Sequence, residues 1–298
     1  MAEPLNYATQ YAKALAQAFP YVLNFGELYQ TPNNQIYRVV NAKTIEIPVL
    51  STTGRVDGNR DAISTKSRNF SNEWETKPLT NHRKWDTLVH PLDIEQTSMV
   101  TSIENITRVF NEEQKFPEMD RYCISKIYAD WEALGNAART DTLTITNVLT
   151  VFDSMMENMD NANVSQSGRI LYVTPQTSTL IKNASQVTRS VDLKDSKTQL
   201  VREVSRIDEV TIVKVPDSIM KTAFDFTVGS VPVGEAKTIQ MALIHPRAVY
   251  TPVIYSFAQL SPPAAMSDGK WVYYEESFED VFILNQRAAA IDFVVGGQ

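Results

Sequence analysis

Apolar residues recur along this chain with two periods, and one long stretch keeps neither. Leu5, Ala8, Ala12, Leu15 and Phe19 fall at helical spacing and predict a short amphipathic helix over residues 5–19, ended by Pro20. Residues 20–34 are expected to run as an extended arm with a turn at Thr31-Pro32-Asn33-Asn34. Ile36, Val39, Ile45, Ile47 and Val49 then alternate, which predicts two strands around a turn at residues 41–43. Asp93 and Gln96 resemble a capping box opening a helix. Ile94, Thr97, Val100, Ile103, Ile106, Val109 and Phe110 continue that helix to residue 113, about 30 Å at 1.5 Å per residue. A second helix is expected to open at Pro117, to bury Ile124, Ile127, Tyr128, Trp131 and Leu134, and to close at Gly135.

Beyond Gly135 the two periods mix. Thr146 is placed to cap a helix bearing Val148, Leu149, Phe152, Met155, Met156 and Met159, with the methionines read as core filler. Strands are predicted at residues 169–175, 210–215 and 239–244, with a short helix at 176–185. Alternating strands and helices point to an α/β part with a central sheet. The end is β-rich: residues 253–260 and 271–284 bracket Pro262-Pro263, and 289–295 finish the chain.

Residues 51–90 are the stretch without a period. Val56, Ala62, Ile63, Leu79, Leu88 and Val89 are its aliphatics, yet Phe70, Trp74 and Trp85 are spaced through it. Seven Lys/Arg stand against five Asp/Glu there, a surplus of +2, which leaves −9 on the rest of a chain of net −7. So thin a core cannot fold alone, and the aromatic residues argue against disorder. The expectation is an extended hairpin that packs on something else.

Composition narrows the function. In 298 residues, 43% are hydrophobic and 21% charged, enough for a buried core. No apolar run of membrane-spanning length occurs, and the first 19 residues do not read as a signal peptide. The single Cys123 excludes an intrachain disulfide and reads as a small buried hydrophobe, consistent with a reducing cytoplasm. A net charge of −7 argues against binding nucleic acid through its phosphates.

Candidate chemistry is sparse. His82, His90 and His245 lack metal-ligand spacing and are expected in structural or solvent-facing roles. Gly54-Arg55-Val56-Asp57-Gly58 has neither Walker nor dinucleotide spacing, and there is no G-x-S-x-G elbow. The acidic run Glu275-Glu276-Ser277-Phe278-Glu279-Asp280 could bind a divalent cation, but a strand face that meets solvent or basic residues is favoured. No catalytic residue, cofactor or metal is expected.

The order of these elements carries a resemblance. The arm and strand pair are followed by the polar hairpin and by Arg83-x-Trp85. Pro91-Leu92-Asp93-Ile94-Glu95-Gln96-Thr97 leads into the long helix, and Phe116-Pro117-Glu118-Met119-Asp120 into the second. Trp271-Val272-Tyr273-Tyr274-Glu275-Glu276 and Ile291-Asp292-Phe293-Val294-Val295 close the chain. This is similar to the major capsid proteins of tailed bacteriophages, which share the Hong Kong 97 coat fold. The resemblance implies an α+β fold: an N-terminal arm (1–34), peripheral-domain strands (35–50), an E-loop (51–90), the spine helix and peripheral domain (91–135), an α/β axial domain (136–250) and returning peripheral strands (251–298).

It further implies head-to-tail homo-pentamers and homo-hexamers that tile an icosahedral head around double-stranded DNA, without sequence-specific binding or a membrane. Assembly would take place in the bacterial host cytoplasm, with scaffolding, portal and decoration proteins as candidate further partners. Arg60, Lys66, Arg68, Phe70, Trp74, Lys77, Arg83 and Trp85 become the candidate intersubunit contacts, the aromatics as buried anchors. Some members of the family link an E-loop lysine to an asparagine near the C-terminal strands, and Lys66 or Lys77 with Asn285 would be the candidates. An encapsulin-like nanocompartment shell, an α/β enzyme and another virion protein remain alternatives.

Overall fold

The computed structural model describes residues 21–41, 43–57, 61, 68–96, 102–184, 204 and 206–296. The helix expected over residues 5–19 lies outside them. The arm is extended apart from one helical turn, α1 (Gly26–Tyr29), and a 3₁₀ turn at Pro32–Gln35 capped by the Thr31 hydroxyl. The expected strand pair follows as β1 (Arg38–Asn41) and β2 (Thr44–Thr52). β3 (Phe70–Pro78) pairs antiparallel along the whole of β2, from Thr44 opposite Pro78 to Thr52 opposite Phe70.

The polar stretch therefore divides, where the sequence suggested one excursion from 51 to 90. Its last part, β4 (His82–Val89), leaves the hairpin and joins another sheet.

The helical region also differs from expectation. α2 (Pro91–Gln96) is capped by His90, whose Nδ1 accepts from the Leu92 N–H at 3.2 Å, so the cap falls before the expected Asp93. α3 (Ile103–Phe110) has its own cap, Ser102, in extended backbone. It then runs without a break through a π turn at Asn111–Lys115 into α4 (Phe116–Ala133). Pro117 was expected to open a new helix. Inside a regular helix it would lack an N–H and clash with the carbonyl four residues back. The π turn resolves this: the Phe116 N–H reaches Asn111 O, five residues back, and the widened turn takes the proline in. Residues 103–133 form one helix roughly 45 Å long. Gly135, at φ +87°, ends it in the left-handed conformation that glycine adopts without strain.

α5 (Val148–Asn161), β5 (Ile170–Val173) and α6 (Pro175–Asn183) follow, the last capped by Thr174. Then come β6 (Arg206–Ile207), β7 (Val210–Lys214), a small hairpin of β8 (Phe224–Asp225) and β9 (Val231–Pro232), and β10 (Ile239–Ile244). The chain ends through β11 (Val249–Tyr250), β12 (Val253–Ser261), β13 (Trp271–Glu279), β14 (Phe282–Ile283) and β15 (Ile291–Val295).

Five strands in the order β15-β10-β5-β7-β6 build the central sheet, with β5 and β7 parallel and the other neighbours antiparallel. Side-chain alternation divides its residues between two cores. Ile170, Tyr172, Ala242, Ile244, Ile291 and Phe293 face α1 and α4, against Phe25, Leu28, Cys123, Ile124, Ile127 and Trp131. Leu171, Val173, Met241, Leu243 and Val294 face α5 and α6, against Phe152, Met155, Met159 and Ile181. Strands covered on both faces read as continuous apolar runs, as Ile-Leu-Tyr-Val does in β5. The final strand, grouped above with the returning peripheral strands 251–298, pairs with β10 in this sheet.

A second sheet, β12-β13-β4, lies with one face on the helix of α3 and α4, while its Ile254 and Phe278 pack near the base of the β2–β3 hairpin. Trp85 stacks on Phe110 at 3.8 Å, and Lys115 pairs with Glu275 at 3.1 Å. The expected long strand of residues 271–284 breaks at Asp280. This buried carboxylate accepts from the Thr80 N–H and hydroxyl, the Tyr122 hydroxyl and the Val281 N–H.

Candidate assembly surface

The hairpin of β2 and β3 is anchored at one end and bare at the other. At its base Ile45, Leu79 and Phe282 form one small buried cluster and Ile47, Tyr250 and Leu284 another, with Tyr37 packed against both. Away from the base, no second layer covers β2 and β3 among the described residues. Directly opposed residues of an antiparallel pair share a face. Pro48 with Trp74, Leu50 with Asn72 and Thr52 with Phe70 therefore lie on one side of the ribbon. Leu50 is 65% exposed, Phe70 55% and Trp74 45%. Arg38 lies over the Trp74 ring at 5.6 Å and Arg68 over the Phe70 ring at 5.5 Å, which lends positive charge to the apolar face. Isolated exposed apolar residues are ordinary, but a row of them on one face of a ribbon makes it a candidate interaction surface.

The structure sorts the candidate contacts. Arg68, Phe70 and Trp74 lie on the exposed ribbon. Arg60 and Lys66 fall outside the described residues. Lys77 sits at the hairpin base, where its Nζ donates to Asn285 Oδ1 at 3.0 Å and pairs with Glu75 at 2.7 Å. The lysine and asparagine considered for a link between subunits thus meet inside one subunit, where a bond would not join two copies. Arg83 and Trp85 also make their contacts within their own chain. Arg83 pairs with Glu118 at 2.6 Å and donates to the Phe226 carbonyl at 2.6 Å, while Trp85 packs under α3. Their expected place on a neighbour followed from treating 51–90 as one loop. Once β4 is a sheet strand, alternation turns both inward onto the helix. Leu50 and Arg38 belong to the exposed surface and were missed, although the alternation through Ile45 and Ile47 already turned Leu50 to the opposite face.

The arm is held by polar contacts. Asp120, fully buried on α4, accepts from the Tyr21 hydroxyl at 2.6 Å, from both nitrogens of Asn24 and from the Phe25 N–H at 3.2 Å. Burial pushes its carboxyl up, and those hydrogen bonds oppose the rise. Asn33 donates to the carbonyls of Arg247 and Val249, and Asn34 both donates to and accepts from Thr251.

The residues weighed for chemistry have structural partners. His82 pairs with Glu276 and stacks on Phe278 at 4.2 Å. His245 caps the turn at Pro246–Ala248, and burial holds its pKa below the usual imidazole value. Cys123 is buried, which raises its thiol pKa and makes it a poor nucleophile. Glu275 and Glu276 of the acidic run meet Lys115 and His82. Among the described residues no group of three His, Cys, Asp or Glu could hold a metal ion. None of the helices among them is long and apolar enough to cross a membrane.

No family model and no curated protein matches the chain. Solved structures do, nearly end to end. The asymmetric unit of the bacteriophage PhiM1 mature capsid aligns with a TM-score of 0.67 at 13% identity, over 98% of this chain and 93% of that one. The capsid structure of cyanophage P-SCSP1u gives 0.66 at 12% identity, over 98% and 93%. A chain from Mycobacterium phage Che8 gives 0.65 at 13% identity, over 97% and 96%. At these identities the likeness is one of fold: the chain has the architecture of phage capsid subunits over nearly its whole length.

Proposed function

We propose that this chain is the major capsid protein of a tailed bacteriophage, a structural subunit that assembles head-to-tail into pentamers and hexamers of a closed head around double-stranded DNA. The observation that carries the reading is the near end-to-end match to phage capsid structures. In the Hong Kong 97 scheme, residues 1–34 are the arm and the β2–β3 hairpin is the E-loop. Helix 103–133 is the spine, and the sheet β12-β13-β4 belongs to the peripheral domain. The five-stranded sheet with α5 and α6 is the axial domain, β15 included.

The exposed ribbon supports this. Its apolar face gains its burial by lying across the next subunit, with Phe70 and Trp74 as anchors and Arg38 and Arg68 directed at an acidic body. Single contacts can be weak, because many per subunit hold a closed shell. Phage capsids among the structural neighbours favour this over a nanocompartment shell.

Negative-stain microscopy of the expressed protein tests it. Rings or closed particles are the expected result. A monomer below about 100 kDa at every concentration, with the ribbon folded onto its own body, ends the proposal.

A further inference from the structure

The strand edges of this molecule are not protected alike. An unpaired edge is a template for another chain, and charged side chains or proline on it discourage pairing. β4 carries His82, Arg83, Lys84 and Asp86, β3 carries Glu73, Glu75 and Lys77, and the short β1 and β6 each open with an arginine. The outer edge of β15 is already occupied by the backbone of Arg139, which bonds to Phe293 O and Val295 N. β12 differs from all of these. Its nine residues, Val-Ile-Tyr-Ser-Phe-Ala-Gln-Leu-Ser, contain no charge and no proline. They pair with β13 on one side, and among the described residues no backbone partner occupies the other. Tyr255, Phe257 and Leu260 are exposed along it, with the rings of Tyr255 and Phe257 nearly parallel at 6.5 Å on one face.

We propose that β12 is a docking edge for strand addition, and that its occupant is β12 of a second copy. The two strands run antiparallel about a two-fold axis, so that one sheet continues across two subunits. The choice of a second copy rests on the shell reading. Head-to-tail contacts close each ring, but neighbouring rings must also be joined, and a contact across a two-fold axis must be self-complementary. A neutral strand meets its own copy without the like-charge opposition that β3 or β4 would create. Main-chain hydrogen bonds supply the attraction, and the row of Tyr255, Phe257 and Gln259 sets the register.

Single cysteines placed in turn from Ile254 to Leu260 test this, because the one native thiol, Cys123, is buried. Particles are oxidised with copper phenanthroline, run on non-reducing gels and imaged in parallel. Antiparallel two-fold pairing gives a disulfide-linked dimer that peaks at one position and fades on either side. Intact particles without a dimer at any position overturn the strand pairing and leave the shell reading standing. Monomeric protein without particles removes the shell reading, and this inference with it. In a second variant, Phe257→Lys on an already exposed position should leave the circular dichroism spectrum unchanged while giving rings in place of closed particles. Closed particles in normal yield would also overturn the proposal.

Discussion

The central sheet and the projecting hairpin are both built from β-strands, but their side chains find burial in different places. β5 and β15 are covered on both faces, and Ile170, Tyr172, Phe293 and Val294 are buried by elements of the same chain. Among the described residues β2 and β3 are covered at the base, and Leu50, Phe70 and Trp74 stay exposed. An apolar residue in the first region stabilises the subunit, and in the second it can stabilise only a contact. Identical chemistry should therefore have separable consequences. Phe293→Ala carries the largest expected effect. Phe293 is fully buried, with Tyr128 and Trp131 packed edge-on against it at 5.3 and 5.2 Å. Truncation should cost the subunit about 3–5 kcal/mol. Chemical denaturation of the unassembled subunit measures this, and a loss below ~1 kcal/mol would show that the core does not depend on this ring.

Trp74→Ala reverses the pattern. The subunit loses only exposed packing and a cation–π contact with Arg38, so its stability should move by less than about 1 kcal/mol. Assembly should suffer far more, because an anchoring tryptophan at an interface is commonly worth 2 kcal/mol or more (roughly thirtyfold) per contact. The comparison is sharp when both variants are measured on both readouts: gel filtration for particle yield and denaturation for the subunit. Normal particle yield from Trp74→Ala would remove this face of the hairpin from the assembly contacts.

The same contrast explains what could be read from sequence. Period and breakers located β5, β7, β10, α5 and α6 closely, because a strand or helix buried by its own chain must carry the apolar pattern of its covered faces. The hairpin was visible as an anomaly for the opposite reason. Three features stayed hidden. The continuity of α3 and α4 through Pro117 depends on a π turn, which leaves no residue signature. The place of β15 depends on which strand it pairs with, and pairing is not encoded in periodicity. The inward turn of Arg83 and Trp85 depends on Phe110 and Glu118, some 25 to 35 residues along the chain. No local pattern could pair them.

A smaller effect comes from ionisation at the seam between the β12-β13-β4 sheet and the spine helix. Glu279 is half-buried near Glu118, Asp280 and Glu275, with Lys115 the opposing charge, and its pKa is raised chiefly by desolvation. A carboxyl raised in the folded state favours folding below its unfolded pKa, and that contribution is lost as pH rises through the folded value. At pH 7 Glu279 is thus a net cost, and Glu279→Gln should raise the melting temperature. The advantage should shrink as pH falls and vanish below 4.5, the ordinary glutamate value, where the wild-type side chain becomes neutral in both states. Thermal melts from pH 7 to 4 would show it. A variant less stable than wild type at pH 7 would mean that the charged form is held by partners stronger than Lys115.

The smallest expected effect is at Lys77, the residue where hairpin and body meet. Its ammonium is shared between Glu75 and Asn285 of the same subunit, at a partly covered surface. Ion pairs still reached by solvent contribute about 0–1 kcal/mol. Its asparagine partner belongs to the same subunit, so particles boiled in SDS should run as a single 33.6 kDa band. Lys77→Gln should leave both particle yield and melting temperature nearly unchanged. A ladder of multiples that disappears in Lys77→Gln would show that Lys77 turns from its own Asn285 to a neighbour's on assembly. The hairpin base would then belong to the contact as much as its exposed face does.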